Sequence, residues 1–222
     1  MCGRFTLRTP QNLLVQQFLL DIAPNWQPRY NIAPTQPLLA VRKALNDPQR
    51  HVALLRWGLV PSWADDLAIG NRMLNARAEG IAEKPSFRSA IKKRRCLILA
   101  DGYYEWQKQG KLKQPYYIRM QDERPFAFAG LWESWHPPSG ATIETCTIIT
   151  TQSNELTRPI HDRMPVILDA ADYDRWLDPQ YFEREEILKL LVPYDSPLMK
   201  LDPVSTHVNN VRNEDAECLA GL

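Results

Sequence analysis

The sequence predicts an α+β fold with a mostly antiparallel, barrel-like β core that is surrounded by short helices. Two observations lead to this prediction. Apolar segments of strand length cluster between residues 95 and 168, and helical patterns lie before and after that cluster. The 18 prolines are spread through the 222 residues, which favours frequent turns and short elements. No internal repeat or low-complexity linker divides the chain, so residues 1–222 are expected to form a single domain.

In the first half of the chain, the pattern predicts two helices and two strands. The first helix should start at Thr9, because Pro10 suits the first helical position and the apolar residues from Leu13 to Leu19 share one side. The other elements of this half are a proline-bearing loop from Arg29 (RYNIAPTQ), strands from Leu38 (LLAVRK) and His51 (HVALLRWG), and a short helix around Phe87 (KPSFRSAIKK).

The second half begins with a dense series of predicted strands. They start at Arg95 (RCLILADG), Tyr103 (YYEWQK), Pro115 (PYYIRM), Pro125 (PFAFAGLW), Thr142 (TIETCTIITT) and Met164 (MPVILD). The KQGK turn at 108–111 indicates a hairpin. Helices are predicted after Asp169 and after Pro179, and the polar tail that contains VSTHVNNVRNED is expected to be irregular.

Composition narrows the functional classes. The net charge of +1 gives no general attraction to nucleic acid, so DNA binding would require a local basic groove. No segment is apolar enough for a membrane span or a signal peptide, and a cytoplasmic monomer is expected. The cysteines form no C-x-x-C pair and the histidines stand apart, so neither a metal nor another cofactor is predicted.

The N-terminus offers an unusual nucleophile. If Met1 is removed, Cys2 becomes a 1,2-aminothiol whose amine, with an ordinary pKa near ~7.7–8.0, is partly neutral at physiological pH. The amine can condense with an aldehyde, and the thiol can then close a five-membered thiazolidine. Gly3 permits close approach of a ligand, and Arg4 adds a phosphate-directed cation. The alternative is that Cys2 is a small buried apolar residue.

Three internal segments carry further candidate residues, each with a structural alternative. Asn75 can orient an amine or a carbonyl and Arg77 can bind phosphate, or both can belong to a surface turn. Glu105, if buried, would have a raised pKa and could move protons, or it can face water on an edge strand. His161 can act as an acid or base near neutral pH, or it can belong to a capped turn.

Other residues are typical of a groove for single strands. Trp106 can stack on a base, and Arg163 can clamp a phosphate. The loops with Pro34 and Trp63 add aromatic and rigid surface. Each aromatic can equally be a core residue, and the KKRR run at 92–95 is best interpreted as solvated charge.

A series of motifs in order carries a resemblance to a known family. The series consists of MCGRF, RYNIAPTQ, RWGLVPSW, LNARAE, RCLILADGYYEW, QPYYI, FAFAGLW, CTIITT, IHDRMPVIL and VSTHVNN. The chain resembles the SOS-response-associated peptidase family, also called abasic-site processing proteins, from residue 2 to about residue 213. The resemblance implies a barrel-like fold with helices around it, and a role in sensing abasic sites in single-stranded DNA.

The resemblance also implies roles for individual residues. Cys2 would form a thiazolidine with the ring-opened sugar, Asn75 would hold its amine or the sugar, and Glu105 and His161 would move protons. The DNA contacts that it implies are phosphates at Arg4, Arg77 and Arg163 and bases at Pro34, Trp106 and Trp63. The adduct would shield the lesion in the cytoplasm, on the nucleoid after DNA damage. Weak lyase activity and self-removal of residues ahead of Cys2 are further expectations.

Two other functions remain open at this stage. The same residues would serve a thiol peptidase in which Cys2 attacks a peptide carbonyl. A non-covalent reader of modified bases would need the groove but not a free amine at Cys2.

Overall fold

The computed structural model describes residues 2–23, 25–110, 112–137 and 140–221. The strands are β1 (Arg4–Leu7), β2 (Arg29–Ile32), β3 (Pro37–Arg42), β4 (His51–Trp57), β5 (Asn75–Arg77), β6 (Arg95–Ala100), β7 (Gly102–Gln109), β8 (Leu112–Met120), β9 (Phe126–Trp135), β10 (Ile143–Gln152), β11 (Arg163–Pro165), β12 (Ile167–Leu168) and β13 (Met199–Pro203). The α-helices are α1 (Gln11–Phe18), α2 (Ala90–Lys93), α3 (Tyr173–Leu177) and α4 (Arg184–Leu188).

Five strands close into a ring. Their order is β10, β4, β3, β6 and β9, and β9 pairs with β10 to complete the circle. Only the β4–β10 pair within the ring is parallel. Alternating apolar residues such as Ile98, Phe128 and Ile148 are fully buried, as expected when one strand face turns to a core. The predicted α+β fold, with a mostly antiparallel barrel-like core and short helices, is confirmed.

A second sheet carries the N-terminal strand. Its order is β13-β8-β7-β1-β2, and every pair is antiparallel. Phe5 on β1 packs edge-on against Trp57 at 5.3 Å and Phe128 at 5.7 Å between ring centroids, which joins this sheet to the ring. The residues before β1 therefore lie where the sheet and the ring meet.

Most strands predicted from the sequence are present, and the β7–β8 hairpin is confirmed, although Lys111 of its turn lies outside the described residues. Several predictions were wrong in detail. Arg95 of the KKRR run, which was interpreted as solvated charge, is only 3% exposed and donates to the Trp176 carbonyl, and the first helix begins at Gln11 with Pro10 as its N-cap. RYNI, assigned to a loop, forms β2 against β1. MPVILD divides into β11 and β12, because Val166 donates its N–H to Ile149 of β10 while its carbonyl accepts from Ala129 of β9. The segment thus changes partner at Val166.

The chain after β13 returns to the second sheet as a C-terminal segment, residues 204–221, made of short 3₁₀ turns. Val204 bridges to Gly221, and Val208 and Cys218 are fully buried against Tyr104 of β7. The tail predicted to be irregular is therefore a packed part of the second sheet. No helix among the described residues combines the length and the hydropathy needed to cross a membrane.

Candidate active site

Cys2 lies at the start of β1 and its side chain is fully buried. Its carbonyl accepts a hydrogen bond of 2.9 Å from the Asn75 side-chain nitrogen. Pairing of Asn75 with Ile148 of β10 fixes that amide on the ring. The Asn75 Oδ1 atom is buried and has no hydrogen-bond partner in the described part of the chain. Asn75 thus binds Cys2 through its side-chain nitrogen, and its Oδ1 atom is a further acceptor on the same amide.

The Cys2 thiol lies in a site that disfavours its anion. Burial raises its pKa well above the usual range, and the negative charge of Glu105 raises it further. A thiol in such surroundings stays protonated at neutral pH, so an amine at this residue is the more available nucleophile. Met1 lies outside the described residues, and its removal stays a prediction.

Glu105 on β7 is only 3% exposed, which decides between the two interpretations of this residue in favour of a buried carboxyl. Burial raises its pKa from 4.5 to about 7. A group with such a pKa exchanges protons readily in both directions at neutral pH.

His161 lies in the turn that leads into β11. Its Nδ1 atom accepts a hydrogen bond of 3.0 Å from the Arg163 main-chain N–H and also lies 3.0 Å from Asp162 Oδ1. Burial lowers the pKa of His161, which favours the neutral ring.

An open cleft of about 850 Å³ lies above these groups. Its lining comes from β1, the loop after β2, β7, the turn before β11 and the C-terminal segment, and includes Gly3, Arg4, Pro34, Glu105, Trp106, His161, Asn209 and Val211. The structure thus brings together five of the residues that were predicted from separate motifs.

Arg4 and Trp106 form one side of the cleft. The Arg4 guanidinium donates to Asn31 Oδ1 at 2.7 Å and to the Val208 carbonyl at 2.9 Å, and its carbon lies 5.8 Å from the centroid of the Trp106 ring. The Trp106 indole N–H donates to Asn209 Oδ1 at 2.7 Å. A cation and an aromatic face held in this way suit a phosphate and an adjacent base.

Three predicted DNA contacts lie apart from this cleft. Arg163 was expected on a phosphate, but its guanidinium binds Glu79 through two hydrogen bonds of 2.7 and 2.9 Å. It also donates to the Thr150 carbonyl at 2.7 Å, and its side chain is 10% exposed. Its role here is therefore to join β11 to the β5 loop. Arg77 is exposed on β5, and Trp63 is 59% exposed; neither belongs to the cleft lining.

Sequence reasoning missed several residues that build the cleft. Gln36, Lys113, Asn209 and Val211 line it, and the buried Asn31 supports it from behind. The motifs RYNIAPTQ and VSTHVNN contained three of these residues, but only their meeting in space shows their use. The described residues also bring His207, Asp215 and Cys218 together, with candidate ligand atoms within 4.8 Å of one another, outside the cleft.

Comparisons with known proteins agree on one family. The sequence model of the SOS response associated peptidase (SRAP) family matches residues 1–211. The chain is 44% identical over 224 residues to abasic site processing protein YoqW of Bacillus subtilis, covering 99% of each. It is 37% identical over 236 residues to abasic site processing protein HMCES of Xenopus tropicalis, covering 90% of this chain and 70% of that protein.

Solved structures give the same result. A crystal structure of a protein from Bacteroides thetaiotaomicron superposes with a TM-score of 0.88 at 30% identity, over 100% of both chains. A second, from Bordetella bronchiseptica, has a TM-score of 0.80 at 25% identity, over 92% of this chain and 100% of that one. With the family model matching residues 1–211, relatives at 37–44% identity and the same fold in solved structures, the chain belongs to the SOS response associated peptidase family.

Proposed function

We propose that this protein processes abasic sites in single-stranded DNA by joining Cys2 covalently to the ring-opened sugar after Met1 has been removed. The observation that carries the proposal is the arrangement of Cys2, next to Gly3 and Arg4 of the cleft lining, and Glu105. Asn75 holds Cys2 by its carbonyl, and Glu105, with a pKa raised to about 7, lies in the adjoining cleft wall. The names of the relatives YoqW and HMCES as abasic site processing proteins support the substrate.

The reaction has two steps in this proposal. The Cys2 amine adds to the C1′ aldehyde and water leaves, which gives a Schiff base. The thiol then adds across the C=N bond, its sulfur bonds to C1′ and its proton passes to nitrogen, which closes the thiazolidine. The high pKa of the buried thiol supports this order, because the amine is then the first nucleophile.

Glu105 and His161 move protons in these steps. Loss of water requires an acid and amine attack requires a base, and a carboxyl with a pKa of about 7 serves both at neutral pH. The His161 ring lies in the cleft lining, where it can exchange a proton with a sugar hydroxyl or with the departing water. Both roles are proposals from position and protonation state.

The cleft favours a single strand over a duplex. Arg4 supplies a cation and Trp106 an aromatic face, while Pro34 adds a rigid apolar edge. Bases that are splayed out of a helix can stack on such a face, whereas paired bases cannot reach it. Arg77 and Trp63 are exposed, and we propose them as further contacts for the strand outside the cleft. In cells we propose a monomer in the cytoplasm that associates with the nucleoid after DNA damage.

The test is adduct formation with a single-stranded oligonucleotide that carries one abasic site. The parent protein should give a heat- and SDS-resistant adduct, and intact mass should show Met1 absent and a gain equal to the DNA minus one water. Cys2→Ala and Cys2→Ser both keep the α-amine but lack the thiol. Each should therefore give no adduct that survives heat and SDS on its own, and only a Schiff base that requires reduction with borohydride to survive denaturation.

Other outcomes would point to the other functions. Full adduct formation by Cys2→Ala, or an active protein that retains Met1, would overturn the thiazolidine. Binding to modified DNA that persists when Cys2 is blocked by an N-terminal extension, with no adduct from the parent, would indicate a reader. Cleavage of a free peptide without DNA would indicate a peptidase, and cutting of the DNA at the lesion would indicate lyase activity.

A further inference from the structure

The C-terminal segment forms one wall of the cleft, and Asn31 fastens it there. Asn31 lies on β2 and is fully buried. Its side-chain nitrogen lies within hydrogen-bonding distance of three main-chain carbonyls of that segment: Val208 at 3.2 Å, Asn210 at 3.1 Å and Asn213 at 2.8 Å. Residues 208–213 of the C-terminal segment thus form a loop around the Asn31 amide.

The other atom of the same amide reaches the cleft through Arg4. Asn31 Oδ1 accepts the 2.7 Å hydrogen bond from the Arg4 guanidinium, which also donates to the Val208 carbonyl at 2.9 Å. The position of the Arg4 guanidinium therefore depends on Asn31, the residue that also holds the C-terminal segment in place. Asn31 itself is absent from the cleft lining.

Glu214 ties the segment to β2 a second time. Its Oε1 atom accepts from the main-chain N–H groups of Tyr30 at 2.6 Å and Asn31 at 2.8 Å. Its Oε2 atom pairs with Arg29 at 2.6 Å. Two tethers, one amide and one carboxylate, hold the segment against the edge strand of the second sheet.

The wall held in this way acts on Trp106. Asn209 accepts the indole N–H of Trp106 at 2.7 Å, which fixes the edge of the ring. Arg4 lies 5.8 Å from the centroid of the same ring. The cation and the aromatic platform are thus oriented by one buried amide and the loop around it.

We propose that Asn31 is a positioning residue for single-stranded DNA, which sets Arg4 against a phosphate and, through the C-terminal wall, the Trp106 ring against a base. The inference rests on the proposed function, since it concerns how the same cleft binds its strand. Asn31 contributes to affinity for the strand and takes no part in the covalent chemistry.

Replacing the amide by a carboxylate should disturb both parts of this role, the C-terminal wall and the position of Arg4. Asn31→Asp retains an oxygen for Arg4, but it loses every N–H donor and turns a negative oxygen toward three carbonyls. The C-terminal segment should separate from β2, and the Arg4 guanidinium should bind the new carboxylate instead of a phosphate. Affinity for DNA should therefore fall.

The experiment measures non-covalent binding in a Cys2→Ala background. Fluorescence anisotropy of a labelled, intact single-stranded 15-mer gives Kd at several salt concentrations, at a temperature where circular dichroism shows every variant folded. Adding Asn31→Asp should raise Kd about tenfold, or about 1.4 kcal/mol. It should also lower the salt dependence by about one released counterion, because one phosphate contact is lost.

Gln11→Glu in the same background is the matched control. The Gln11 amide donates to the Trp26 carbonyl at 2.9 Å on α1, away from the cleft lining, so this variant makes the same change of charge and loses the same kind of donor. Its Kd and salt slope should stay within about twofold of the background. With Cys2 restored, Asn31→Asp should form adduct at saturating DNA within about twofold of the parent rate.

Equal affinity of the Asn31→Asp variant and its background would overturn the inference, as would an equal loss in the Gln11→Glu control. If Asn31→Asp does not fold, Glu214→Gln tests the same wall, because it removes the Arg29 pair but keeps an acceptor for both N–H groups. It should raise Kd about threefold, and an unchanged Kd would overturn the proposal. The parent's adduct assay judges the proposed function separately, since the binding assay needs no Cys2.

Discussion

Two buried carboxyls flank the start of β7, and they differ in what surrounds them. Asp101 and Glu105 are each 3% exposed. Asp101 accepts hydrogen bonds from the hydroxyls of Thr6 and Thr9 and from the main-chain N–H groups of Arg8 and Thr9. These four hydrogen bonds attach the chain on both sides of Leu7 to the Asp101 carboxylate.

Glu105 has surroundings of the opposite kind. Burial dominates its environment and raises its pKa to about 7, so its charge is not strongly stabilised there. At equal burial, four hydrogen bonds hold the Asp101 carboxylate, whereas burial has the largest effect on the pKa of Glu105.

The largest effect that distinguishes Glu105 from Asp101 should be on the rate of adduct formation. Glu105→Gln removes the proton-exchanging group while keeping the shape of the side chain, so single-turnover adduct formation should slow by roughly 10²–10⁴-fold. DNA affinity should stay within about twofold, because the role of Glu105 is chemical. Equal rates for the variant and the parent, followed on denaturing gels, would remove Glu105 from the mechanism.

Stability should show the next largest contrast, at Asp101. Asp101→Asn replaces an acceptor of four hydrogen bonds by a group with donors of its own, so the free energy of unfolding should fall by about 3 kcal/mol. Urea unfolding measures it, and Glu123→Gln, which alters an exposed carboxyl, is the control with an expected change below about 1 kcal/mol. A loss as small as that of the control would mean that Asp101 is not an anchor.

A smaller effect of opposite sign is expected for Glu105. Its folded-state pKa lies above the unfolded value, so the folded protein holds the proton more tightly. The stability this gives is complete below pH 4.5 and is lost as the pH rises through about 7. At pH 8 the Glu105→Gln variant should therefore be more stable than the parent, by about 2 kcal/mol, and this gain should shrink toward pH 5. A gain that does not vary with pH would contradict the shifted pKa.

The smallest expected effect concerns Tyr103, which shares a face of β7 with Glu105. Its hydroxyl is buried and has no hydrogen-bond partner among residues that the structure describes. Tyr103→Phe removes an unsatisfied polar group without changing the ring, so the free energy of unfolding should stay equal or rise by up to about 1 kcal/mol. A fall of more than that in thermal unfolding would show that the hydroxyl has a partner.

Local sequence patterns were sufficient to predict most of the strands and many of the candidate site residues. The sequence patterns identified β6 to β10, and residues from separate motifs are near one another in the structure: Asn75 binds the Cys2 carbonyl, and Glu105 and His161 line one cleft. Their catalytic roles stay predictions. Burial of Glu105 stayed open at that stage, because an alternating pattern does not say which face of a strand turns inward.

What could not be predicted depends on residues far apart in sequence. Arg163 is held by Glu79, 84 positions away, and no local pattern distinguishes that pair from a free phosphate clamp. β2 is a strand only because β1 lies beside it, and Asn31 matters only because residues 208–213 return to meet it. Such pairings are set by topology, which a single sequence does not display.

The link between Arg4 and Val208, 204 positions apart, has a consequence for how the protein is made. A reactive terminus is translated early, yet the wall of its cleft leaves the ribosome about 200 residues later. At roughly 5–20 residues per second, that interval is about 10–40 s. During it the nascent chain carries Cys2 without the assembled cleft wall, so the proposed reaction with a DNA aldehyde would become possible only when synthesis is nearly complete.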